Sequence, residues 1–217
     1  EGGTLVSLMK GKPLPLAQIR RIISQVGDAL DYAHSQGIVH RDIKPSNVLI
    51  DKRGNCLLTD FGISKMVESN SRLTTTGSTT GTPAYMSPEQ GRGDPLDGRS
   101  DLYGLGVVLF QLLTGRLPFD ADTPTQIVMM HLTIPVPDPR QVAPERNIPE
   151  PLVEVVQKTM AKDQAARYQE AAEFSDALTA AQRAFEGVAS GPASALANGA
   201  HAAGTITATS IECPSCK

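Results

Sequence analysis

A chain of 217 residues, 40% hydrophobic and 20% charged, is long enough for one domain plus a tail and excludes a fibrous or wholly disordered protein. A formal net charge of -3, with no long Lys or Arg block, argues against nucleic acid or a membrane surface as partner. Cys56, Cys213 and Cys216 are too few for a disulfide framework and fit a reducing compartment, most simply the cytoplasm; no run of about 20 apolar residues is available to span a membrane, and no signal-peptide pattern opens the sequence.

Ile19, Ile23, Val26, Leu30 and Ala33 recur at helical spacing, which predicts a helix from Leu16 that ends near Gly37. Short runs at 38–39, 48–50 and 56–59 are bounded by Pro, Gly, Asn and Asp and predict small strands and turns. Residues 60–89 show no periodicity, and a stretch of that length inside a domain is usually functional. Within it, eight of the twelve residues from 69 to 80 are Ser or Thr. In DLYGLGVVLFQLLTG, Leu102, Leu105, Leu109 and Leu112 form one stripe while Val107, Val108, Phe110 and Leu113 fill the other side. Such a helix is buried all round and should be the spine of the domain, stopped at Thr114 and Gly115. Two amphipathic helices follow, one through Leu152, Val155, Val156 and Met160, the other through Phe174, Leu178, Ala181 and Phe185. Residues 187–212 turn to Ala, Gly, Ser and Thr and read as a flexible linker. The expected fold class is mainly α with short β hairpins.

The stretch His40-Arg41-Asp42-Ile43-Lys44-Pro45-Ser46-Asn47 has the form H-R-D-x-x-x-x-N, and Asp60-Phe61-Gly62 follows thirteen residues after the Asn. With GTPAYMSPE at 81–89 and the Asp101-Leu-Tyr-Gly helix start, these motifs resemble the protein kinases, more narrowly the eukaryotic-like Ser/Thr kinases of bacteria. The resemblance covers 1–186 and implies a kinase-like C-terminal lobe that uses ATP and Mg²⁺ to phosphorylate Ser or Thr hydroxyls of protein substrates. It implies that Asp42 orients the acceptor hydroxyl, that Lys44 places a charge near the transferred phosphoryl group, and that Thr82 bonds to both. Asn47 and Asp60 would hold Mg²⁺ through hard oxygen donors. Arg41 would pair with a phosphate on the 69–80 loop, with Thr74, Thr75, Thr76, Ser78, Thr79 and Thr80 as candidates.

Four residues read as scaffold. His40, beside apolar Val39, is expected to pack rather than react. Asp101 is either a plain N-cap or, as the resemblance favours, the residue that holds the catalytic-loop backbone. Glu89 and Arg167 resemble an ion pair between the end of the activation segment and the late helices.

A Gly-rich loop, a strand Lys and its helix Glu are not found in the 217 residues. EGGTL at 1–5 resembles the residues just past a kinase hinge, so the sequence reads as starting where the second lobe starts, and alone it is expected to be inactive. A kinase-like interaction module without transfer is the competing class; the presence of Asp42, Asn47 and Asp60 together argues against it. Cys213-Pro-Ser-Cys216 resembles the first half of a zinc ribbon at 213–217 but has no second pair of ligands, and a pair of Cys without function is an equal reading. No metal is assigned to it.

Overall fold

The computed structural model describes residues 2–10, 13–61 and 83–189, with side chains through Phe185. Strand β1 (Gly3–Thr4) runs directly into α1 (Leu5–Met9), whose first turn is capped by the Thr4 hydroxyl accepting from the Ser7 amide. Helix α2 (Leu16–Ser35) buries Ile19, Ile23, Val26, Leu30 and Ala33, the stripe read from the sequence. Strands β2 (Val48–Ile50) and β3 (Cys56–Leu58) form a hairpin, and β1 adds to it in the order β1-β2-β3, antiparallel throughout. The strand expected at 38–39 is not formed. The chain there leads into a loop whose next two amides are taken by a side chain from another helix, so no ladder competes for them.

Among the described residues the remaining helices are α3 (Pro88–Arg92), α4 (Gly98–Thr114), α5 (Pro124–Thr133), α6 (Pro139–Val142), α7 (Glu150–Thr159) and α8 (Ala171–Ala189). Every residue of α4 from Ser100 to Phe110 is buried. It packs against α2 on one side and α7 on another, and α8 closes over α2 and α7. Two glycines make the close approaches possible. A Cβ at Gly104 would lie 3.1 Å from the Ile43 Cβ, and one at Gly106 would lie 2.8 Å from the Thr159 methyl. The first gap admits the loop at 38–44; the second admits the end of α7.

Helix α4 starts three residues earlier than DLYGLG suggests, with Asp97 as the N-cap accepting from the Arg99 amide. Asp101 is therefore not a cap but a residue one turn inside the helix. Gly115, at φ 75°, ends it as expected for a left-handed C-cap. Phe185, placed on the apolar face of the last helix by its spacing, is 43% exposed, because it lies beyond the reach of the core that buries Phe174, Leu178 and Ala181. No helix among the described residues is long and apolar enough to cross a membrane.

Candidate active site

The β2–β3 hairpin continues for one more pair beyond its regular register. The Asn47 carbonyl accepts from both the amide and the hydroxyl of Thr59, at 2.9 and 3.2 Å. Asn47 and Asp60 thus leave the hairpin at the same end. The loop preceding it arrives alongside, because Ile43 is buried against α4 and Pro45–Asn47 form a single 3-10 turn.

Two non-glycine residues in this loop system hold left-handed backbone, Arg41 at φ 67° and Asp60 at φ 58°. Such a conformation costs about 1 to 3 kcal/mol and persists only where neighbours hold it. At Arg41 both backbone polar groups are claimed from outside. The Asp101 carboxylate accepts from the His40 amide at 2.8 Å and from the Arg41 amide at 2.7 Å, and Gln90 Nε2 donates to the Arg41 carbonyl at 2.8 Å. Asp101 also meets His34 Nε2 at 2.8 Å. Gln90 has a second task, since its Oε1 accepts from the Ser87 amide in the capping box of α3. One amide side chain therefore joins the SPE segment to the backbone of the loop at Arg41.

His40 is fully buried and lies against Phe61, with ring centroids 4.6 Å apart and the planes tilted by 46°. Its Nε2 donates to the Thr59 carbonyl at 2.9 Å while Nδ1 accepts from the Asp42 amide at 3.3 Å, a set satisfied by the tautomer protonated on Nε2. The ring bonds the residue before Asp60 as well as Asp42 itself.

On the open side, Lys44 Nζ donates to Asp42 Oδ2 at 2.7 Å, and Asn47 Nδ2 donates to the Asp42 carbonyl at 2.9 Å and to Oδ2 at 3.3 Å. About a fifth of the Lys44 and Asp42 side chains is exposed. Because Nδ2 is turned to Asp42, Asn47 Oδ1 is the atom left for another partner, and among the described residues only the Ser46 hydroxyl meets it, at 3.3 Å. Asp60 is exposed. An amide oxygen and a carboxylate at one hairpin end are hard donors of the kind Mg²⁺ takes, so the residues fit that ion.

The predicted Glu89 and Arg167 meet in a bidentate pair, Nη1 to Oε1 at 2.7 Å and Nη2 to Oε2 at 2.8 Å, with side chains 1% and 0% exposed. Ser100 donates to Glu89, and the guanidinium also donates to the carbonyls of Ala161, Arg99 and Lys162. These bonds outweigh desolvation and hold the Glu89 carboxyl down at about 2.

A neighbouring network has no counterpart in the sequence reading. His131 of α5, buried, donates from Nε2 to the Ala84 carbonyl at 3.1 Å and accepts at Nδ1 from the Tyr103 hydroxyl at 2.9 Å. It therefore ties the 3-10 turn Pro83–Tyr85 to α4. Burial and the nearby Lys162 push its pKa down to about 4, so the ring is neutral. Lys162 lies 4.6 Å over the Phe119 ring, and burial with Arg167 nearby pushes its ammonium down to about 8. Thr82, the candidates from Thr74 to Thr80, Gly62 and the cysteines at 213 and 216 lie outside the described residues.

The sequence matches the family model described as "Protein kinase domain" over residues 1–179. It is 40% identical over 178 residues to "Serine/threonine-protein kinase pkn3" of Myxococcus xanthus, covering 79% of this chain and 32% of that protein. It is 41% identical over 172 residues to "Serine/threonine-protein kinase PrkC" of Bacillus subtilis, covering 79% and 26%, and 38% identical over 176 residues to "Serine/threonine-protein kinase PknB" of Mycobacterium leprae, covering 80% and 28%. The chain spans a quarter to a third of the length of these curated relatives.

Proposed function

Because this chain belongs to the protein kinase family, we propose that it supplies the catalytic-loop half of a Ser/Thr protein kinase, which transfers the ATP γ-phosphoryl group to protein hydroxyls. The observation that carries this reading is the bonded set Lys44–Asp42–Asn47 on a loop whose strained backbone is held by Asp101 and Gln90. Phosphoryl transfer needs positioning and charge neutralisation more than covalent chemistry.

In this assignment Asp42 takes or orients the proton of the incoming hydroxyl, a contribution of about 10²- to 10⁴-fold. Lys44, bonded to Asp42 in the free protein, neutralises charge on the transferred group, and Thr82 would bond to both and favour Ser or Thr acceptors. Asn47 Oδ1 and the Asp60 carboxylate would hold Mg²⁺, which when bound neutralises phosphate charge. Arg41 would receive a phosphate from the 74–80 cluster. Its Nε is buried with no hydrogen-bond partner among the described residues, which supports that role.

The 217 residues contain no Gly-x-Gly-x-x-Gly loop and no Val-Ala-Ile-Lys strand, so the chain alone is expected to transfer no phosphate. The assignment is tested in protein that carries those parts together with this sequence. ATP-dependent labelling of a Ser-containing substrate should fall about 10²-fold or more in Asp42→Ala with the fold intact; undiminished labelling refutes the role of Asp42, and a complete absence of labelling in the unsubstituted protein favours the interaction-module reading.

A further inference from the structure

We propose that Gln90 is a positioning residue for Asp42: it holds the peptide plane between Arg41 and Asp42 and so sets the direction in which the Asp42 carboxylate is presented; this rests on the kinase reading above. Two peptide planes meet at the Arg41 Cα, whose φ of 67° is left-handed. The plane before it is held by Asp101, which accepts from the Arg41 amide at 2.7 Å. The plane after it is held at both edges, since Gln90 Nε2 donates to the Arg41 carbonyl at 2.8 Å and the Asp42 amide donates to His40 Nδ1 at 3.3 Å. Rotation of that second plane changes ψ of Arg41 and φ of Asp42 together, and so turns the Asp42 side chain. The Gln90 bond is the shorter of the two and is the stronger hold.

The side chain that makes this bond is itself fixed. Gln90 Oε1 accepts from the Ser87 amide at 2.9 Å, and only an oxygen can stand opposite that N–H, so the NH₂ end must face Arg41. The neighbours of Gln90 on α3 are fixed too. Glu89 is locked to Arg167 by two bonds, and a Cβ at Gly91 would lie 3.0 Å from a methyl of Val128 on α5. One amide group thus refers the Asp42 carboxylate to the buried ion pair. Lys44 Nζ and Asn47 Nδ2 bond to Asp42 Oδ2 at 2.7 and 3.3 Å, so a turn of the plane moves the carboxylate relative to both. Misplacement of a reacting group by about 1 Å costs up to about 10²-fold in rate.

The competing explanation is that Gln90 serves only the cap of α3. The two roles sit on different atoms, the cap on Oε1 and the hold on Nε2. Gln90→Glu separates them, because a Ser-x-x-Glu sequence keeps the capping box while no donor remains for the Arg41 carbonyl.

Hydrogen exchange is followed on the full 217-residue chain. Gln90→Glu should speed exchange at the Asp42 amide about tenfold while the amides at positions 90 and 91 keep their protection. In protein that carries the Gly-rich loop and strand Lys together with this sequence, kcat should fall about tenfold, with KM for ATP and for the substrate within about twofold of the unsubstituted values. Gln90→Met, neutral and of similar length, should give the same rise at Asp42 and the same fall in kcat, now with faster exchange at position 91 as well. Unchanged exchange at Asp42 in both variants, faster exchange confined to α3, or a kcat that neither variant lowers would overturn the assignment. The exchange measurement needs no transfer, so an unsubstituted protein that labels no substrate counts against the kinase reading alone.

Discussion

Glu89 and Arg167 meet through two bonds at 1% and 0% exposure, whereas Asp42 and Lys44 meet through one bond of 2.7 Å with about a fifth of each side chain open to solvent. The first pair has nearly every donor and acceptor engaged, by Ser100 and three backbone carbonyls. The second is partly open to solvent on both sides of its bond. The difference separates a joint from a tool: a pair that is buried and saturated can only hold, and a pair at an opening can exchange partners during a reaction.

The comparison breaks first at the buried end. Arg167→Ala leaves the Glu89 carboxylate buried without its cation and should destabilise the domain by about 3 to 5 kcal/mol. A chemical-denaturation midpoint unchanged by the substitution would show that the pair is not the joint described.

Acid provides the next test. The Glu89 carboxyl is held down at about 2, below its ordinary value of 4.5, so its contribution is fully present above pH 4.5 and is lost as pH falls toward 2. His131 is held down at about 4, below its ordinary 6.5. The unfolded chain binds that proton first, so stability is lost as pH falls from 6.5 to 4. Each group accounts for about 3 kcal/mol over its own window. Denaturation measured at pH 7, 4 and 2 should show both steps, with Glu89→Gln removing the lower one and His131→Asn the upper one. A single step unaffected by either substitution would contradict these assignments.

Between the two pairs stands Asp101. Asp101→Ala leaves the amides of His40 and Arg41 without acceptors and should cost about 2 to 3 kcal/mol. It should also release the left-handed turn at Arg41, read as faster hydrogen exchange at those two amides than at the core of α4. Unchanged exchange would mean that Gln90 alone holds the turn.

The long helices were legible because a stripe repeated over about three to four turns outweighs local noise, as in α2 and α4. The boundaries were not, because the Asp97 cap precedes the apolar run by several polar residues. Helix α5 carries the capping box Thr123-Pro-Thr-Gln126 in plain view, yet its short run offers little periodicity. The residues proposed for chemistry, Asp42, Lys44, Asn47 and Asp60, stood out by motif. Gln90, Tyr103 and His131 did not, since each works through a partner 28 to 49 positions away, and a lone His within a helical pattern gives no sign of which carbonyl it will meet. The 38–39 segment misled for a related reason: β-branched residues favour strand, but the neighbouring amides were already committed to Asp101.

The smallest expected effect is the sharpest for the comparison. Lys44→Ala removes one partly exposed ammonium from Asp42, and partly exposed pairs are worth about 0 to 1 kcal/mol. Asn47 Nδ2 still bonds to Asp42 at two atoms, and no buried charge is stranded. Thermal unfolding should therefore stay close to that of the unsubstituted chain, while transfer falls sharply in protein able to perform it. A loss of stability as large as that of Arg167→Ala would erase the distinction between joint and tool, because it would mean that Lys44 is needed to hold the loop and not only to act on what the loop receives.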